Sequence, residues 1–152
     1  MKTTNQSKTA ETIFAPPSET SAHDAGAVEK EHASRQTILL VEDDRSIRRY
    51  LEVILQKAGF VVLTAGDGAE AMKIALTTPV NAIVTDAIMP HLNGHELCRF
   101  IRRQAKLASL PIILLSGLEN KAPANTKEDG ADVYMSKPVA PTDLINCLER
   151  LL

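Results

Sequence analysis

Large apolar residues are scarce up to about residue 35, then arrive in short blocks that alternate between two rhythms. Ile38-Leu39-Leu40-Val41 is an unbroken apolar run ended by acids, which suits a strand buried on both faces. Ile47, Leu51, Ile54, Leu55 and Ala58 then recur at helical spacing, with Gly59 as a stop signal. Phe60–Thr64 reads as a second strand. Asp67, with Glu70 three residues on, resembles a capping box that opens a helix turning Met72, Ala75 and Leu76 inward. Residues Ala82–Thr85 form a third strand ending at Asp86. A helix after Gly94 carries Leu97, Cys98 and Ile101 on one face. Pro111–Leu115 is a fourth strand and Asp132–Met135 a short fifth. Pro141 starts a last helix, with Leu144, Ile145, Leu148, Leu151 and Leu152 as its apolar set.

Strict strand–helix alternation with short connections implies a parallel sheet covered by helices on both sides. Five such units fit an α/β, doubly wound, flavodoxin-like (βα)5 fold with strand order 2-1-3-4-5. One unit is poor. Glu119–Asp129 offers only Ala122, Pro123 and Ala124 as apolar candidates, so its helix is expected to be short or frayed. Residues 1–35 hold only Ile13, Phe14 and Val28 as large apolar residues and are expected to be a disordered tail, with the folded domain spanning 36–152.

The rest of the composition excludes more than it selects. The 152 residues suffice for one ordinary core. A net charge of −2 points to neither nucleic acid nor an anionic membrane. No apolar run is long enough for a membrane span, and Met1–Lys8 leads into polar sequence, so a cytoplasmic protein without membrane insertion is expected. Cys98 and Cys147 sit in half-apolar helical segments and read as small buried hydrophobes rather than a redox pair.

In a parallel α/β sheet the carboxyl ends of the strands share one edge, where ligands bind. Here the first strand ends in Glu42-Asp43-Asp44, the third in Asp86 and the fourth in Ser116, while Lys137 follows the fifth. Crowded carboxylates repel one another, so this gathering calls for a hard cation, for which Mg2+ is the natural candidate. Asp44 has a plainer role as the cap of the first helix. His91 and His95 have i, i+4 spacing, but Gly94 lies between them and no ligand cluster follows. The plain reading of Arg99, Arg102, Arg103 and Lys106 is a solvated helix face. A flavin carrier of the same fold would want a phosphate cradle after the first strand, where these acids would repel phosphate.

Four segments, ILLVEDD at 38–44, VTDAIMPHLNG at 84–94, PIILLSG at 111–117 and GADVYMSKP at 130–138, resemble the receiver domain of bacterial two-component response regulators, single-domain chemotaxis regulators included. The resemblance spans Thr37 to Leu152. It implies Asp86 as phosphoacceptor and metal ligand, with Asp43 and the Ile88 backbone carbonyl as further Mg2+ ligands and Glu42 acting through water. It implies that Ser116 and Lys137 contact the phosphoryl group, that Lys137–Pro138 is cis, and that Ser116 and Tyr134 form the switch. Ile88 and Leu118 match the positions flanking the path of a hydrolytic water, and their bulk implies a long-lived phosphate. The expected function is a phosphorelay switch. It takes its phosphoryl group from a sensor histidine kinase or phosphotransfer protein and acts on an unknown downstream protein by contact, without binding nucleic acid directly. It would be no enzyme beyond its own Mg-dependent phosphorylation and dephosphorylation, and a monomer or weak phosphorylation-dependent dimer. The rival expectation is a pseudo-receiver, a binding module of this fold that is never phosphorylated.

Overall fold

The computed structural model describes residues 34–117 and 129–152. Five parallel strands, β1 (Thr37–Val41), β2 (Val61–Ala65), β3 (Ala82–Asp86), β4 (Ile112–Ser116) and β5 (Val133–Ser136), form one sheet in the order β2-β1-β3-β4-β5. Helices α1 (Arg45–Lys57), α2 (Gly68–Thr77), α3 (Gly94–Arg103) and α4 (Pro141–Leu151) accompany them. The strand order is the expected one, and each strand lies within a residue or so of its predicted span.

The apolar runs work by alternation, because successive strand residues point to opposite faces. Leu39, Val41, Ile83, Ile112 and Leu114 pack on one face against Ala71 and Ala75 of α2 and Leu97, Cys98 and Ile101 of α3. Ile38, Leu40, Val84, Ile113 and Leu115 pack on the other against Leu51 and Leu55 of α1 and Leu144, Cys147 and Leu148 of α4. Cys98 and Cys147 therefore belong to cores on opposite sides of the sheet, and both are free and buried. Burial pushes the Cys98 thiol up to about 12, which keeps it protonated and inert.

Helix ends follow local chemistry. Asp44 caps α1, its carboxylate accepting from the amides of Ser46 (2.8 Å) and Ile47 (3.0 Å), as expected. Asp67 caps α2 through the Glu70 amide (2.8 Å), but Glu70 reaches past it to the Gly66 amide (2.7 Å), so the predicted box is offset. The full capping box belongs instead to α3. Asn93 accepts from the Glu96 amide and Glu96 accepts from the Asn93 amide, both at 2.9 Å, which makes Gly94 the first helical residue rather than the one before the helix. Four residues expected inside lie outside: Leu76 is more than half exposed, Ile47 is exposed, Ala58 is the exposed C-cap of α1, and Leu152 is the exposed C-cap of α4. Residues 1–33 of the expected 1–35 tail, and 119–128 of the weak Glu119–Asp129 segment, lie outside the described residues.

Candidate functional site

The four chain segments singled out in the sequence meet at the carboxyl edge of the sheet. Adjacent registers Val41↔Thr85 and Asp86↔Leu115 bring the ends of β1, β3 and β4 level. Glu42 is buried, 1% exposed, and Asp86 nearly so at 8%. Oxygens of Glu42, Asp43 and Asp86 lie within 4.8 Å of one another, with Asp43 on the exposed side. All three donors are hard oxygens, the set that a divalent cation such as magnesium takes, so the residues present fit one.

Lys137 closes the site from the loop after β5. Its Nζ donates to Glu42 Oε2 at 2.9 Å and pairs with Asp86 Oδ2 at 2.8 Å. The Lys137–Pro138 peptide is cis, as expected, and the Lys137 amide donates to the Ser116 carbonyl at 2.7 Å. Burial would lower the Lys137 pKa, yet its hydrogen bonds to Asp86 and Glu42 outweigh that and raise it. Burial likewise raises the Glu42 carboxyl, against the opposing bonds from Lys137 and the Asp44 amide.

Ser116, at the end of β4, is buried at 6% exposure. Ile88 stands 60% exposed at the mouth, its amide 3.4 Å from Asp86 Oδ1. Gly94 lets α3 approach β3: a Cβ there would collide with the Asp86 carbonyl oxygen. Tyr134 is half-buried on β5 against the α2–α3 core, and desolvation raises its phenol. Leu118 lies outside the described residues.

Other sequence readings fare differently. His91 precedes α3, with φ +69°, and His95 lies within it, its Nδ1 2.7 Å from Asp129 Oδ2, so they form no shared ligand pair. The basic face of α3 is only partly solvated. Arg99 bonds Asp129 (2.9 Å), and Arg102 bonds Asp132 (2.8 Å) and the carbonyls of Gly130, Ala108 and Leu110. The sequence reading missed the Glu42–Lys137 pair and Arg48, whose Nη1 donates to the Glu42 carbonyl at 2.6 Å. The only signal for Arg48 is a cation one turn after the Asp44 cap.

The sequence matches the family model of the response regulator receiver domain over residues 38–149. Similar curated proteins include the transcriptional regulatory protein GltR of Pseudomonas aeruginosa, 36% identical over 79% of this chain and 50% of GltR. Protein PilG of the same organism is 37% identical over 74% of this chain and 84% of PilG. The chain spans about half the length of several curated relatives it matches, GltR and the ycf27 regulator of Cyanophora paradoxa among them. Among solved structures, chemotaxis protein CheY4 of Vibrio cholerae matches with a TM-score of 0.73 and 33% identity, over 78% of this chain and 100% of that one. The receiver domain of a signal transduction histidine kinase from Syntrophus aciditrophicus matches at 0.71 and 32%, over 77% and 89%.

Proposed function

Since the chain belongs to the response regulator receiver family of two-component signalling, we propose that it is a phosphorylation switch whose acceptor is Asp86. One observation carries the reading: the Asp86 carboxylate sits at the end of β3 with Lys137 at 2.8 Å and the acids Glu42 and Asp43 beside it. An Asp86 oxygen attacks the phosphorus of a phosphohistidine on a sensor kinase or phosphotransfer protein. The P–N bond breaks, the imidazole leaves, and an acyl phosphate forms. Phosphoryl transfer asks mainly for alignment and charge neutralisation. Lys137 supplies a fixed cation that can pass from the carboxylate to the phosphoryl oxygens, and buried Ser116 supplies a hydroxyl at the neighbouring strand end. Asp43, Asp86, the Ile88 carbonyl and, through water, Glu42 would hold Mg2+, which when bound neutralises charge on the transferred group.

Tyr134, on β5 beside Ser136, would respond to Ser116 and alter the surface offered to a downstream protein in the cytoplasm. Ile88 at the mouth, and Leu118 by its sequence position, would crowd the hydrolytic water and lengthen the phosphate's life. Incubation with acetyl phosphate, read by intact mass, tests this reading. A one-phosphoryl adduct should form with magnesium and fail to form when chelator is present from the start, and Ile88→Asn should shed it about tenfold faster if roughly 1.4 kcal/mol of barrier is lost. A chain that forms no adduct with magnesium present would instead support a binding module that is never phosphorylated.

A further inference from the structure

Asp43 differs from its two acidic neighbours in how it is held. Glu42 is fixed along its whole length: its amide donates to the Ala65 carbonyl (3.1 Å), Oε1 accepts from the Asp44 amide (3.1 Å) and Oε2 from Lys137 (2.9 Å). Asp86 is fixed by Lys137. The Asp43 carboxylate is exposed and takes no hydrogen bond among the described residues. Only its backbone aims it at Asp86, so whatever holds that backbone decides whether the third carboxylate stays in the cluster.

Arg48 grips that backbone on both sides of Asp43. Its Nη1 lies 2.6 Å from the Glu42 carbonyl and 3.4 Å from the Asp43 carbonyl. On α1 its neighbours Arg45, Ser46, Ile47, Arg49 and Tyr50 are all exposed, whereas Arg48 is half-buried and folds back over the strand end. Its guanidinium lies beside Gly66, after β2, where a Cβ would stand 3.4 Å from Nη1, an ordinary contact. We propose that Arg48 is a positioning residue for the acidic site, holding the Glu42–Asp43 backbone so that the Asp43 carboxylate faces Asp86 ready to bind a divalent cation. This rests on the proposed role of the cluster as the magnesium site.

Charge and positioning predict opposite signs here. A guanidinium beside the cluster repels a dication, so removing it for its charge alone would tighten Mg2+ binding. Removing a positioning group weakens metal affinity, by about 10–100-fold for partners that orient ligands. The test is magnesium titration of the unphosphorylated chain by calorimetry, with the magnesium-free melting temperature recorded alongside. Arg48→Met should bind Mg2+ about tenfold more weakly while still folded. Arg48→Lys, which keeps the charge on a shorter side chain that falls short of the Nη1 position, should also bind more weakly, and it serves if Arg48→Met does not fold. Unchanged or tighter binding by the folded variants, with a wild-type chain that binds magnesium, overturns the inference alone. A wild-type chain that binds no magnesium overturns the magnesium site and this inference with it.

Discussion

Glu42 and Lys137 are mutually dependent. Burial raises the Glu42 carboxyl above its usual range, which means that the folded chain binds a proton there more readily than the unfolded one. Ionised Glu42 therefore costs stability as pH rises from about 4.3, the unfolded value, through its raised folded pKa. Lys137 limits that cost, and its own raised pKa keeps the contribution present below about 10.4, to be lost as pH climbs through the folded value. Lys137→Met removes the cation and should raise the Glu42 carboxyl further. In magnesium-free urea unfolding, the variant should then lose more stability than the parent between pH 5 and pH 7.5. The difference should be about 1–2 kcal/mol, below the ~3–5 of a fully buried pair because the Lys137 side chain is partly exposed. Added magnesium should restore part of it. A variant that gains stability over that interval would show that Lys137 does not offset the burial of Glu42.

The elements differ in how openly their sequences declare them. Strands buried on both faces, such as Ile38–Val41 and Ile112–Leu115, announce themselves as unbroken apolar runs, and their order follows from β–α alternation. Helix faces were less legible, because periodicity shows that a face exists but not how wide the cover over it is. Small Ala71 takes the place against the sheet on α2 that Leu76 was expected to share, leaving Leu76 outside. Polar ties between distant segments left no periodic trace at all. Arg102 of α3 reaches the Gly130 carbonyl (2.7 Å), the Ala108 and Leu110 carbonyls (3.0 and 2.7 Å) and Asp132 (2.8 Å), whose carboxylate also accepts from the Ile112 amide (2.8 Å). One side chain thus joins α3 to the approaches of both β4 and β5. Arg102→Met should cost about 2 kcal/mol in urea unfolding, in the range for hydrogen bonds to a charged group. Arg49→Met, which breaks an exposed i, i+3 pair with Glu52, should cost under about 0.5. Equal effects would mean that Arg102 is as dispensable as the surface pair.

At the scale of the molecule, the parallel sheet brings residues 42, 86, 116 and 137 to one edge although they are far apart in the chain. That placement was legible because each residue ends or closely follows a recognisable strand. The ties that fix their geometry were not, since the Glu42–Lys137 pair joins residues 95 positions apart and Arg48 acts through backbone carbonyls. The central claim is that this edge directs a phosphoryl group onto one carboxylate among several. Its most direct test is to phosphorylate the chain with acetyl phosphate and magnesium, reduce the acyl phosphate with borohydride, and locate the modified residue by peptide sequencing. The account predicts homoserine at position 86 alone, and no modified peptide from Asp86→Asn. Homoserine at position 43, or undiminished labelling of the Asp86→Asn chain, would contradict it.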